Sequence, residues 1–172
     1  MRYFNSYGPR LDPKGYGSVI AKFISQARLN RPITVFDNGQ QTRCFTYVDD
    51  TVRGTLLAAS VPEAVGHVFN IGSNRETSVL ELARIIREMV GSESEIVQVP
   101  YRNVFGENFE ETRRRVPDIR RAQQVLGFRA EVPLEEGLLK TVDWFRQAWP
   151  MESLAASNEH VAGFFDLEMP QL

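Results

Sequence analysis

The sequence predicts an α/β domain on three observations. Short β-branched runs, Ile33–Phe36, Val65–Ile71 and Ile96–Val99, alternate with longer stretches whose apolar residues recur at helical spacing. Capping residues and glycine stops punctuate those stretches. The chain has 172 residues, 42% apolar and 24% charged. That is the size and composition of one globular domain, able to bury roughly 70% of its unfolded surface.

In chain order, Arg2–Tyr7 begins as a strand, and Gly8-Pro9 closes it. Lys14–Ser18 is a loop. Its Gly15-x-Gly17 lacks the third glycine and the leading strand of a dinucleotide fingerprint. Ser18 can cap a helix whose stripe is Val19, Ile20, Phe23, Ile24 and Ala27. Lys22 lies off that stripe, either solvated or leaning over a substrate phosphate. Arg31-Pro32 ends this segment.

Next comes an expected hairpin: Ile33–Phe36, a turn at Asp37-Asn38-Gly39, and a second arm over Cys44–Val48. Asp49 and Asp50 suit the N-cap of a helix over Thr51–Ser60 better than an acid–base pair. Val65–Ile71 reads as a strand. Thr77-Ser78 with Glu81 forms a capping box for a helix burying Leu82, Ala83, Ile86, Met89 and Val90, stopped by Gly91. After Ile96–Val99, the polar and aromatic Tyr101–Val116 is long enough to be a functional loop. Asp118 caps a helix running to Leu126, with Gly127 as its stop. Pro133 starts a last helix carrying Leu134, Leu138, Val142, Phe145 and Trp149. Residues 1–150 form the body. Residues 151–172 are a tail whose Phe164 and Phe165 suit docking on the body or on a second copy.

Two basic clusters carry the chemistry. Gln41 and Arg43 follow the turn, and a guanidinium with an amide two residues earlier suits a phosphate or carboxylate. The same residues also read as a solvated hairpin end. Arg113, Arg114 and Arg115 can hold a diphosphate by forked hydrogen bonds, or pair on the surface with Glu107, Glu110 and Glu111. Asn5, near a strand end, either caps a turn or meets a ligand. Cys44 reads as a buried structural thiol. His67 and His160 have no second ligand at metal spacing, so no metal site is expected. The net charge of −2 gives no general attraction to nucleic acid or an anionic membrane. No apolar run has membrane-span length, and the first residues do not resemble a signal peptide, so a cytoplasmic protein is expected.

Four segments in order, Arg2–Arg10 (RYFNSYGPR), Ile33–Asp50, Phe69–Gly72 (FNIG) and Arg113–Ile119 (RRRVPDI), resemble the extended short-chain dehydrogenase/reductase family. These are the NAD-dependent nucleotide-sugar epimerases, dehydratases and decarboxylases, and UDP-glucose 4-epimerase-like and UDP-glucuronate decarboxylase-like members are the most similar. The resemblance runs from Arg2 to about Trp149. It implies the C-terminal, substrate-binding part of a Rossmann-like fold, with a few strands and about five helices, and without the NAD-binding half.

By that resemblance, Thr34 and Phe36 lie beside a nucleobase, with Phe36 against its face. Asn5, Gln41, Arg43 and Arg115 surround the diphosphate, and Tyr101 and Phe109 close the site. The family oxidises its sugar with NAD through a Tyr-x-x-x-Lys pair. Here Tyr3, Tyr7, Tyr16, Tyr47 and Tyr101 are followed four places on by Tyr7, Leu11, Ile20, Thr51 and Phe105. The expectation is therefore a UDP-sugar-binding portion with no catalytic residue and no cofactor site in this chain. The alternatives are part of a split epimerase or decarboxylase active only with an NAD-binding half, or a structural remnant without a ligand. An uncovered sheet edge implies a homo-oligomer or a separate cofactor-binding half as partner.

Overall fold

The computed structural model describes residues 1–12, 18–105 and 111–155. Gly15, Gly17, Phe109, His160 and the tail aromatics Phe164 and Phe165 lie outside the described residues. The strands are β1 (Arg2–Tyr3), β2 (Ser6–Tyr7), β3 (Ile33–Phe36), β4 (Thr42–Cys44), β5 (Thr46–Tyr47), β6 (Asn70–Ile71), β7 (Glu76–Ser78), β8 (Ile96–Val99) and β9 (Arg114–Arg115). The helices are α1 (Val19–Arg28), α2 (Val48–Ser60), α3 (Val79–Val90), α4 (Arg102–Phe105), α5 (Arg120–Leu126) and α6 (Leu134–Ala148). Parallel pairs β1–β6, β2–β5 and β3–β8 accompany a mixed three-stranded sheet ordered β7–β4–β9. This is the expected α/β class, with a Rossmann-like arrangement.

Two glycine stops and two serine caps form as expected. Gly91 and Gly127 take left-handed φ of 73° and 64°, and Ser18 and Ser78 accept from Ala21 N and Glu81 N. Asp118 stands one residue before the cap position of α5, and its Oδ1 accepts from Arg120 N at 3.0 Å.

The hairpin does not form. β3 pairs in parallel with β8, Ile33 to Ile96 through Phe36 to Val99, while β4 pairs with β7 and β9. The turn is real but redirects the chain. Asp37 at φ 49° gives its N–H to Val99 O, extending the β3–β8 ladder, and Gly39 at φ 67° accepts from Leu80 N. A side chain at Gly39 would come within 2.5 Å of Val35 Cγ1, so the turn packs against β3 instead of reversing beside it.

Other expected strands are shorter. Asn5, at φ 40°, splits Arg2–Tyr7 into β1 and β2, a conformation its short polar side chain tolerates. Only Asn70–Ile71 of Val65–Ile71 is a strand, and Val65 is 83% exposed.

One core joins α1, α3, α6 and β3 through Phe23, Ile24, Ile33, Val35, Leu82, Ile86, Leu138 and Phe145. A smaller one joins β6 and α5 through Phe69, Ile71, Ala122, Leu126 and Phe128. Arg28 Nη1 caps the end of α6, donating to Phe145 O at 2.6 Å and Trp149 O at 2.9 Å.

Asp49 and Asp50 do not cap. The helix starts at Val48, with Tyr47 at the cap position. Asp50 is 2% exposed and turns inward, accepting from Glu131 N, Val132 N and Arg53 Nη2. The approach to α6 has two free backbone donors, and a buried carboxylate satisfies both.

Candidate functional site

The site is built on β4. Arg43 lies between β7 and β9, with Thr77 and Arg115 as its cross-strand partners. Residues in register on parallel strands point to the same face, and neighbouring strands lie about 4.8 Å apart. Arg43 and Arg115 are thus side by side on one face of the sheet. Thr42 and Arg114 share the other.

On that other face Arg114 makes a forked pair with Glu76, Nε to Oε2 at 3.0 Å and Nη2 to Oε1 at 2.6 Å. Thr42 Oγ1 donates to the same carboxylate at 2.8 Å. The expected trio of guanidiniums therefore divides. Arg114 follows the surface-pairing alternative, with Glu76 in place of the glutamates expected, and Arg115 is the one in register with Arg43.

Two cationic side chains on neighbouring positions of one sheet face repel unless an anion lies between or beside them. The Arg43 side chain is 12% exposed. Its Nη1 donates to Thr42 O at 2.8 Å, and its Nη2 pairs with the Glu111 carboxylate. Glu111 also hydrogen-bonds the Tyr101 hydroxyl, which burial first and then this carboxylate push up to about 12. Gln41 Nε2 reaches the same hydroxyl at 3.3 Å and Phe36 O at 3.4 Å. The Tyr101 ring lies 4.9 Å from that of Phe36, tilted by 33°. Phe36, Gln41, Arg43, Tyr101 and Glu111 form one connected network.

Thr34 adjoins Phe36 on β3, and Asn5 adjoins the end of β4. Thr34 exchanges two hydrogen bonds with the Gln26 amide, at 3.2 and 3.0 Å. It shares the half-exposed face of β3 with Phe36, two residues on. Asn5 Nδ2 donates to Cys44 O at 2.9 Å, so its amide holds the end of β4 as a turn residue would. Cys44 is fully buried, and burial pushes its thiol up to about 11, as a structural thiol requires.

Sequence reasoning placed Lys22 in solvent or over a phosphate. The structure puts its Nζ 4.8 Å from the Phe36 ring centre, half-buried, and burial pushes the ammonium down to about 8. The signal was available. Lys22 and Gln26 are four apart on α1, while Thr34 and Phe36 are two apart on β3. One helix face thus meets one strand face residue for residue.

Lys22 is one of three lysines, with Lys14 and Lys140. Reductive ¹³C-methylation followed by NMR should show one lysine resonance, beside that of the α-amino group, titrating near 8 against an ordinary 10.5, and Lys22→Arg should remove it. Burial disfavours the cation, so the folded form binds its proton less well than the unfolded chain. Stability from this group therefore rises with pH between about 8 and 10.5. A lysine set titrating uniformly above 10 would contradict the packing.

A separate open cleft of about 510 Å³, lined by Arg2, Asn70, Asp118, Arg120 and Arg121 among others, lies where β1, β6 and α5 meet. None of the expected site residues lines it. Among the described residues no cluster could hold a metal ion, and no helix is long and apolar enough to cross a membrane.

Comparison with known proteins gives this geometry a context. Residues 1–72 match the NAD dependent epimerase/dehydratase family. The chain is 42% identical over 147 residues to a UDP-N-acetyl-alpha-D-glucosaminuronate decarboxylase of Bacillus cytotoxicus, covering 86% of this chain and 46% of that protein. It is 41% identical over 160 residues to UDP-glucuronic acid decarboxylase 1 of Xenopus tropicalis, covering 93% and 35%. Among solved structures, UDP-glucose 4-epimerase of Thermotoga maritima with UDP-glucose superposes with a TM-score of 0.77 at 36% identity, over 87% of this chain and 46% of that one. UDP-glucuronic acid 4-epimerase of Bacillus cereus with UDP-glucuronic acid and NAD gives 0.75 at 30%, over 86% and 45%. The chain spans less than half the length of these relatives.

Proposed function

We propose that this chain, which belongs to the NAD-dependent epimerase/dehydratase family, holds the diphosphate of a UDP-sugar between Arg43 and Arg115. The observation that carries this reading is the register of β4 and β9, which sets Arg43 and Arg115 side by side on one face of the sheet. Gln41 adds an amide donor. Phe36 and Thr34, on the half-exposed face of β3, supply the surface for the base. Asn5 acts through β4, whose last carbonyl it holds. The substrates named for the relatives, UDP-glucose and UDP-glucuronic acid among them, support the ligand class.

The family's cofactor is a separate question. A dinucleotide needs a strand running through a glycine-rich turn into a helix N-terminus. Among the described residues, the turns leaving β3, β6 and β8 carry Asp37-Asn38-Gly39, Gly72-Ser73-Asn74 and Pro100-Tyr101. None is G-x-G-x-x-G. These turns do not fit the cofactor, and no hydride step is assigned to them.

Calorimetry with UDP-glucose and UDP-glucuronic acid, with and without NAD, tests the reading. The expected result is binding that NAD leaves unchanged. No heat at near-millimolar ligand would reject it.

A second reading has its own support. Met1, Tyr3, Val52 and Leu56 are each about half exposed or more, and Tyr3 hydroxyl reaches Thr55 Oγ1 at 3.0 Å, joining β1 to α2. Apolar groups gathered beside an open strand edge suit a protein partner. In this reading the chain works with a cofactor-binding half, or as a homo-oligomer, and the epimerase or decarboxylase activity belongs to the assembly. Sedimentation should show association that Val52→Asp with Leu56→Asp abolishes. A wild-type chain that is monomeric alone, and remains so when mixed with a relative's cofactor half, would dismiss it.

A further inference from the structure

We propose that Glu111 is a built-in anion that occupies the Arg43 site until a diphosphate displaces it, an inference that rests on the nucleotide-sugar reading above. Three observations support it. The Arg43 and Glu111 side chains are only 12% and 23% exposed, so their pair is partly desolvated and less screened by water and salt than a surface contact. Glu111 is also tied to the Tyr101 hydroxyl, itself within reach of Gln41, so the carboxylate is anchored at two points. And Arg115 adds a second positive charge beside Arg43, which a single carboxylate leaves only partly balanced.

The competition then follows from charge and shape. A carboxylate offers one negative charge and two oxygens to one guanidinium. A diphosphate offers more charge and enough acceptors to meet both. The ligand able to displace Glu111 is therefore one with two linked anionic groups, and a simple carboxylate or chloride should fail. Displacement also frees the Tyr101 hydroxyl, whose ring lies against Phe36. Events at the anion end thus reach the surface assigned to the base.

The test compares wild type with Glu111→Gln, near-isosteric but uncharged, by calorimetry with UDP and with inorganic pyrophosphate, with thermal unfolding to check the fold. Glu111→Gln should bind both about tenfold more tightly, since the ligand no longer competes with a charge-assisted contact. Adding Arg43→Ala should cancel the gain. Equal or weaker binding by Glu111→Gln overturns the inference and makes Glu111 a strut for Arg43. A gain for pyrophosphate without any UDP binding would uphold Glu111 as the competitor while rejecting the nucleotide reading. Failure of both ligands with both proteins would reject both.

Discussion

Arg43→Ala is expected to weaken UDP-sugar binding by about 30- to 100-fold, equivalent to about 2–3 kcal/mol for lost charge-assisted hydrogen bonds. The size follows from burial. The guanidinium is 12% exposed, held by Thr42 O, and faces a site where water competes poorly. Arg43→Lys should recover little, because a point charge cannot reproduce the planar fork. Arg115→Ala should cost less, since that side chain lies on an exposed two-residue strand. The double variant should lose less than the sum of the two single losses, as expected of groups sharing one ligand. Arg114→Ala is the internal control. It removes an adjacent arginine on the opposite face, whose exposed pair with Glu76 contributes little to stability. Calorimetry should find its affinity close to wild type. A loss as large as that of Arg43→Ala would mean that net charge, and not the face of the sheet, decides binding.

Asp50→Ala should give the largest loss of stability, about 3–5 kcal/mol, or roughly 10 °C or more in melting temperature. Asp50 is 2% exposed, and its carboxylate accepts from two consecutive backbone N–H groups, Glu131 and Val132, as well as from Arg53. Removing it leaves both part-buried donors near the start of α6 without their partner. Asp50→Asn keeps one acceptor oxygen and should lose less. If thermal unfolding finds Asp50→Ala within 1 kcal/mol of wild type, about the cost of losing an ordinary cap, the reading of Asp50 as the tie between α2 and α6 is wrong.

These two residues also mark what was legible in the sequence. Features set by a few neighbouring residues appeared where they were expected: the serine caps, the glycine stops at 91 and 127, and the buried stripe of α6. Asp50 departs from that pattern because the rule for a carboxylate at a helix start is local, whereas its backbone donors, Glu131 and Val132, stand 81 and 82 residues away. The hairpin failed for a related reason. Asp37-Asn38-Gly39 does turn, but turn chemistry cannot tell whether the next segment or a later β-branched strand takes the open edge of β3. Register decided that, and it also divided Arg113–Arg115. Adjacent residues on a strand face opposite ways, so Arg114 and Arg115 could not both meet Arg43 once β9 formed. The sequence leaves Lys22 as solvated or over a phosphate and Glu111 as a surface partner of the arginine trio, because both owe their setting to tertiary neighbours, the Phe36 ring and the Arg43 guanidinium. The pairing of Arg43 with Arg115 came from the family resemblance, since nothing in their spacing along the chain required it.

A crystal structure of this chain with UDP examines the central claim most directly. The diphosphate oxygens are expected within hydrogen-bond distance of both Arg43 and Arg115, with the Glu111 carboxylate moved off Arg43 Nη2. A diphosphate seated instead in the cleft of Arg2, Arg120 and Arg121, with the Arg43–Glu111 pair intact, would contradict it.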